Sequence, residues 1–326
     1  MKVCIVGVGA IGGMLGARLS ERGECEVSAV ARGPTLDSLK THGWQLQEGG
    51  RLIRSRVRAT NDARDLGPQD VVIVAVKGPA LASAAAQIAP LCGPDTAVVT
   101  AMNGVPWWFG YGTKIGDEPL RSVDPVGQIA AAIPIERVIG CVAHLSAASI
   151  APGISRHVKG RRLVIGEAMR LGSVSARVER CGQLLSNAGF DLSTTADIRY
   201  EIWYKLWGNM TMNPISAITG ASTDQLLADP LVRNFCSAAM EEACEIGSRL
   251  GCSINESPED RHAITGMLGP FKSSMLQDVE ARRTIELDGI VTVVREIGQR
   301  LGCSTPNIDA ILGITRLFGR VRGLYP

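Results

Sequence analysis

Paired cysteines are missing from this sequence. It has 9 cysteines, an odd number at scattered spacings, and no Cys-x-x-Cys occurs. Disulfide scaffolds and zinc sites need tighter patterns. The thiols are therefore expected to be reduced, in a cytoplasm. Cys4 and Cys141 stand inside apolar runs, where cysteine serves as a small hydrophobe. Histidine is scarce as well. His42, His144, His157 and His262 show no ligand spacing, so no metal is expected. His144 and His157 fall in predicted strands and are expected to be structural. Charge of one sign is also lacking. A net charge of +2 excludes a broad pull toward nucleic acid or membrane. No stretch reaches the roughly 18 apolar residues that a membrane span needs. The apolar run at 3–6 is too short for a secretory signal and leads straight into glycines. Internal repetition stops at one echo, Arg249-Leu-Gly-Cys-Ser253 and Arg300-Leu-Gly-Cys-Ser304. Two copies do not make a solenoid, and helix-stop chemistry used twice accounts for them.

What is present suits a globular protein of 326 residues, 45% apolar and 20% charged, a length that favours two domains. Residues 2–6 form a short β-branched run, the mark of a buried strand. Residues 10–22 look helical and stop at Gly23. Further strands are expected at 25–31, 51–59, 71–76 and 96–101, with Pro79 opening a helix after the third of these. This alternation predicts a doubly wound, mostly parallel sheet. Short strands follow near 137–147, 154–158 and 161–166. A helix at 173–188 and a strand at 190–193 come next. Beyond about 196 only helical patterns remain, at 197–213, 224–250, 258–268, 273–301 and 305–318. The expected organisation is an α/β Rossmann domain over 1–195 and an all-α domain over 196–326.

The first chemical signal is Gly7-x-Gly9-x-x-Gly12, with Ala10 and Ile11 between the last two glycines. The first glycine permits a tight turn. The second lets backbone approach a pyrophosphate, and the third lets helix and strand pack closely. The pyrophosphate then meets free N–H groups at a helix N-terminus. The pattern follows a strand and precedes a helix, the context that gives it meaning. The second strand ends Ala29-Val30-Ala31-Arg32, without the acid that usually binds an NAD ribose. Arg32 suits a 2′-phosphate, so NADP(H) is expected; a solvated surface arginine is the other reading. Lys77 follows the strand 71–76, and Asn103 follows 96–101. Open α/β sheets bind ligands beyond the carboxyl ends of their strands. Arg32, Lys77 and Asn103 are therefore expected on one rim with the glycine loop. Each alone is an ordinary surface or turn residue.

In the helical half, Lys205, Asn209 and Asn213 recur every four residues. The drift is only about 40° per step, so they share a face. Their neighbours are mostly apolar, and a lysine with two asparagines there needs partners or a wet cleft. An ordinary solvated stripe is the competing reading. Pro214 is expected to disfavour regular helix at Asn213. Ser274-x-x-Gln277 fits a capping box. Glu286 lies in a charged run that reads as a helix face.

Taken together these segments resemble the ketopantoate reductases (2-dehydropantoate 2-reductases). The resemblance rests on the glycine loop, Val76-Lys77, Asn103-Gly104, Lys205-Leu206-x-x-Asn209-x-x-x-Asn213-Pro214, and Ser273-Ser274-Met275-Leu276-Gln277-Asp278 followed by Glu286. It spans nearly the whole chain. It implies NADPH-dependent reduction of 2-dehydropantoate to pantoate, a step of pantothenate biosynthesis. Lys205 looks like the catalytic lysine that donates a proton, and Glu286 like its acidic partner at the substrate hydroxyl. Asn209, Asn213 and Ser274 look like substrate-binding groups, with Ser274 toward the carboxylate. Asn103 and Lys77 look like cleft residues at the cofactor, with Asn103 also toward substrate. The partners implied are a small 2-oxo acid and a second copy of the chain, with neither nucleic acid nor membrane. Two features depart from the pattern. Trp107, Trp108, Phe109 and Tyr111 concentrate aromatics in a chain with only 5 Trp, 4 Tyr and 5 Phe. They suit a cap over the substrate, a hydrophobic lid or a subunit contact. The family's further substrate-side asparagine falls on Thr223. The alternatives are therefore another branched or bulky 2-oxo acid as substrate, or a noncatalytic NADP(H)-binding regulator.

Overall fold

The computed structural model describes residues 1–169 and 172–326. It divides into two compact units: Met1–Asn103 with Gly127–Ile198, and Gly104–Val126 with Arg199–Pro326.

The first unit is built on β1 (Lys2–Val6), β2 (Glu26–Val30), β3 (Trp44–Glu48), β4 (Arg51–Ser55), β5 (Arg58–Thr60), β6 (Gln69–Val74), β7 (Cys92–Ala101), β8 (Val138–Ala151), β9 (Ile154–Glu167) and β10 (Asp191–Thr194). Its helices are α1 (Ala10–Arg22), α2 (Gly33–His42), α3 (Gly78–Ile88), α4 (Gln128–Ala132) and α5 (Ala176–Asn187). Six strands run parallel in the spatial order β5-β2-β1-β6-β7-β8. This is the doubly wound order of dinucleotide-binding sheets, and the order reverses between β1 and β6. The sheet then continues antiparallel into β9. The β3–β4 hairpin, inserted between β2 and β5 in sequence, pairs with the start of β9 through Gln45 to Ile154 and Leu46 to Ser155.

That closure explains α1. A helix on one face of an open sheet hides one stripe. Here Gly12 through Leu19 are all buried, because α1 packs against β1, β2, β3, β4, β8 and β9 and against α5. Small residues make this approach tolerable. A Cβ on Gly13 would collide with the Ser155 hydroxyl, and one on Gly16 with the Trp44 ring. Arg18 is buried on the same helix. It pairs with Glu48 and donates from Nη1 to the Ala188 carbonyl at 3.1 Å.

Two local expectations change in this unit. The region 51–59 is two strands, β4 and β5. The stretches 154–158 and 161–166 are one 14-residue strand, because β8 keeps pairing with it past the break at Gly160, with shifts of register at His144, Ser146 and Ala147. Gly33-Pro34, just after β2, forms the first turn of α2, where the missing proline N–H costs nothing.

The second unit holds α6, which enters it from Ile198 (Ile198–Thr219), then α7 (Thr223–Ala228), α8 (Pro230–Leu250), α9 (Pro258–Gly266), α10 (Ser274–Glu280), α11 (Val293–Arg300) and α12 (Pro306–Val321). No strand occurs in it among the described residues. Among the described residues of either unit, no helix is long and apolar enough to cross a membrane. The segment Gly104–Val126 precedes α4 in the chain yet packs with these helices. Arg199, 3% exposed at the start of α6, donates to the carbonyls of Phe109 (3.0 Å) and Tyr111 (2.7 Å). Glu296 on α11 accepts from the N–H groups of Arg121 (2.9 Å) and Ser122 (2.8 Å) and from the Ser122 hydroxyl. Arg300 donates to the carbonyls of Glu118 and Pro119.

Helix boundaries differ from expectation at four places. α6 runs through Pro214 rather than losing regularity at Asn213. Every residue from 210 to 217 is buried, so packing outweighs one lost backbone hydrogen bond. The pattern 224–250 breaks at Asp229, whose carboxylate caps the N–H groups of Leu231 and Val232 ahead of Pro230. The stretch 273–301 is not one helix. α10 stops where Arg282 takes a positive φ of 52°. An irregular segment follows, then a π-helical turn at Asp288–Thr292, before α11. Finally, α10 is capped by Ser273, which accepts from the Leu276 N–H at 3.1 Å, and not by Ser274.

Candidate functional site

In the first unit, the parallel register places Val6 beside Val30 and Val74, and Val74 beside Thr100. The residues that follow these strands therefore emerge at one edge: the glycine loop, Arg32, Lys77 and Asn103. Gly7 has φ +94°, and a Cβ there would stand 2.5 Å from Val76 Cγ1. Gly12 lies so close to the Gly7 carbonyl that no side chain fits. Around Gly9 a Cβ would meet nothing within 4 Å, so this backbone faces open space. Gly9 starts α1 with no side-chain cap and no acid in the first turn, which leaves N–H groups and the positive end of the helix dipole toward that space.

A cleft of about 330 Å³ lies beside this loop. Its walls include Gly7, Gly9, Val30, Ala31, Val76 and Ala80. Its polar lining is Arg32, Thr35, Asn61, Ser83 and Gln87, with no acidic residue. Arg32 is exposed and occupies the start of α2. Thr35, Asn61 and Gln87 were not legible as site residues. Asn61 follows a strand of only three residues, and Gln87 lies on a helix face that spacing alone does not orient. Lys77 starts α3 and is half-buried, with its Nζ shielded from solvent, unlike an ordinary surface lysine. Asn103 is exposed.

In the second unit, Lys205, Asn209 and Asn213 share one face of α6. Lys205 and Asn209 are half-buried and Asn213 is 6% exposed, which excludes an ordinary solvated stripe. Around them Leu206, Trp207, Met210 and Met212 are buried. On the neighbouring face, the Arg261 guanidinium lies over the Tyr204 ring at 4.9 Å and against Gly208. Glu286 is half-buried between the fully buried Ile285 and Leu287, in irregular chain rather than on a charged helix face. Ser274 opens α10 and is exposed, its neighbour Ser273 having taken the capping role.

Both halves of this arrangement have counterparts in known proteins. Residues 3–170 match the family model for ketopantoate reductase PanE/ApbA, and residues 197–318 match the model for its C-terminal part. The chain belongs to the ketopantoate reductase family. The 2-dehydropantoate 2-reductase of Mesorhizobium japonicum is 42% identical over 327 residues, covering 100% of each chain. A crystallised protein of Ralstonia solanacearum, provisionally named a ketopantoate reductase, is 52% identical, covers 99% of each chain and superposes with a TM-score of 0.94. The same fold, at 19% identity and a TM-score of 0.85, occurs in a D-mandelate dehydrogenase solved with NADH and anilino(oxo)acetate, covering 99% of this chain and 100% of that one. Membership makes the chain a pyridine-nucleotide-dependent oxidoreductase acting on a small molecule. It joins a Rossmann-type sheet to a helical C-terminal half. The fold leaves the choice of nucleotide open, so residues must decide it.

Both features read as departures in the sequence now have structural accounts. Trp107, Trp108 and Phe109 are buried, and Phe109 stacks on Trp203 of α6 at 5.9 Å. The three rings are therefore packed away from solvent; of the four aromatics Tyr111 alone is exposed, at 40%. Thr223 is buried, its N–H donating to Phe271 and its hydroxyl to the Gly269 carbonyl at 3.2 Å. It ties down the loop that leads into Ser273 and Ser274.

Proposed function

We propose that this chain reduces 2-dehydropantoate to pantoate with NADPH. The observation that carries the proposal is the Lys205–Asn209–Asn213 stripe, drawn in from solvent on α6 where a binding module would need no lysine. The backbone of Gly7, Gly9, Ala10, Ile11 and Gly12 would hold the pyrophosphate, as uncapped N–H groups at a helix start do. Arg32 would pair with the 2′-phosphate, and the acid-free lining of its cleft suits a dianion better than a ribose hydroxyl. Lys77 and Asn103, at the same strand edge, would complete the cofactor side. Bound there, the nicotinamide supplies hydride to the 2-oxo carbon.

Negative charge then grows on the carbonyl oxygen. Lys205 holds the proton that this oxygen takes, and its ammonium stabilises the charge before transfer. Glu286 accepts from the substrate hydroxyl. Asn209 and Asn213 orient the oxo acid, together with Asn103. Ser274, freed from capping, binds the carboxylate. The homodimer implied by the resemblance belongs to the same proposal and is read from the mass in solution.

Replacing Lys205 by Ala is expected to lower kcat by about 10²–10⁴, the range for a lost general acid. NADPH binding, followed by fluorescence titration, stays within about twofold. Near-normal turnover in that variant removes Lys205 from its role. Tight NADPH binding by the intact protein with no turnover of any 2-oxo acid establishes a noncatalytic regulator instead.

A further inference from the structure

Glu286 carries half of the proposed chemistry, yet neither helix nor strand fixes it. The backbone on either side is held by a different device. Before it, the Ile285 N–H donates to the Leu324 carbonyl at 3.0 Å. After it, the chain enters the π-helical turn, where the N–H groups of Val291 and Thr292 both donate to the Leu287 carbonyl, at 2.8 and 3.3 Å. Such turns are rare and costly unless something outside them makes up the difference.

That outside support comes from the segment following α12. The Tyr325 hydroxyl donates to Asp288 Oδ1 at 2.6 Å, at the first residue of the turn. The Thr292 hydroxyl, at its last residue, donates to the same oxygen at 2.9 Å. One carboxylate oxygen thus bridges both ends of the turn and the tyrosine. Burial and the Asp288 carboxylate push the Tyr325 phenol up to about 12, so it remains a donor throughout the working pH range. The tyrosine is itself held. Leu324 is buried and its N–H donates to the Gly319 carbonyl at 2.8 Å. Gly319 is needed there, since a Cβ would stand 2.7 Å from that of Tyr325. On the opposite side, the Val105 N–H donates to the Gly289 carbonyl at 2.8 Å.

We infer that Tyr325, through Asp288 and Thr292, is a positioning residue that sets the Glu286 carboxylate for the substrate hydroxyl. The inference rests on the role proposed above for Glu286. Tyr325 touches neither substrate nor cofactor in this account. It fixes the turn that begins two residues after the glutamate, while the adjoining Leu324 fixes the residue before it.

The test is pantoate binding to the NADP⁺-loaded protein, measured by calorimetry so that it needs no turnover. Tyr325→Phe is expected to weaken pantoate 5- to 20-fold, with NADP⁺ affinity within twofold and the thermal midpoint close to that of the parent. Asp288→Asn keeps an oxygen acceptor for both hydroxyls and is expected to bind within threefold of the parent. Asp288→Ala loses that acceptor and should resemble Tyr325→Phe. In a Glu286→Gln background, Tyr325→Phe is expected to change pantoate affinity less than twofold. Weakening of equal size in both backgrounds overturns the inference, as does no weakening in the parent. A loss that also appears for NADP⁺ and tracks a lowered midpoint shows a merely structural tyrosine and overturns it too. If Glu286→Gln alone leaves pantoate binding and turnover intact, the role of Glu286 itself fails, an outcome separate from the others.

Discussion

The proposed preference for NADPH rests on Arg32 more than on any other single residue. The arginine is exposed at the start of α2, in a cleft whose polar lining has no carboxylate. An arginine fork pairs well with a phosphate dianion and has little to offer a neutral ribose hydroxyl. Arg32→Ala is expected to raise the KM for NADPH about 10- to 100-fold, the range of one lost charge-assisted pair worth roughly 1.5–3 kcal/mol. The KM for NADH should move less than threefold. Equal changes for both nucleotides would make Arg32 an ordinary surface residue. The rim positions of Arg32, Lys77 and Asn103 were legible because each lies within three residues of the end of an apolar strand, and strand ends can be read from a sequence. Tyr325 was not. Its importance comes from one hydrogen bond to Asp288, 37 positions earlier, and no periodicity records such a pair.

At the scale of elements, α1 shows what patterning misses. Its glycine loop was plain in the sequence, but nothing there marked Gly13 and Gly16. They are small because β3 and β9 close over the helix, and β3 left no clear strand signal. Gly16→Ala presses a methyl into the Trp44 ring and is expected to cost about 1–3 kcal/mol, seen as a lowered thermal midpoint. An unchanged midpoint would mean that α1 is not enclosed as described. The Gly104–Val126 segment makes a second case, since nothing in its sequence announces that it packs with helices far along the chain. Glu296 is one of its clamps. Burial alone would raise this carboxyl, but the Ser122 hydroxyl, the N–H groups of Ser122 and Arg121, and Arg300 together bring it below the usual carboxylate value of 4.5. A group held lower in the folded state stabilises fully above its unfolded value and loses that contribution as pH falls through the folded one. Glu296→Gln is therefore expected to be less stable than the parent near neutrality. The gap should narrow as pH drops below about 4.5, the usual value for this carboxyl. Acid unfolding followed by circular dichroism reads it, and a gap that stays constant with pH would show that the carboxylate charge contributes nothing.

For the whole molecule, the two architectures were legible because their periods differ: strands alternating with helices up to β10, and helical spacing alone after it. What escaped were the breaks. Pro214 did not interrupt α6, because its surroundings are buried. The stretch 273–301 broke where Arg282 turns left-handed and the π-helical turn follows, although its apolar spacing reads as continuous. Among the proposed site residues, those on regular elements, Lys205 to Asn213, were legible as a stripe; Glu286, on irregular chain, was readable only through resemblance. The central claim is a reductase of one branched 2-oxo acid using NADPH. It is tested most directly by following NADPH absorbance with the purified protein and a panel of 2-oxo acids that includes 2-dehydropantoate, pyruvate, 2-oxoisovalerate and phenylglyoxylate. The highest kcat/KM is expected for 2-dehydropantoate, at least about tenfold above the others, since several oriented polar contacts discriminate by more than one methylene does. Preference for another acid on that panel, or turnover with NADH as good as with NADPH, would contradict it.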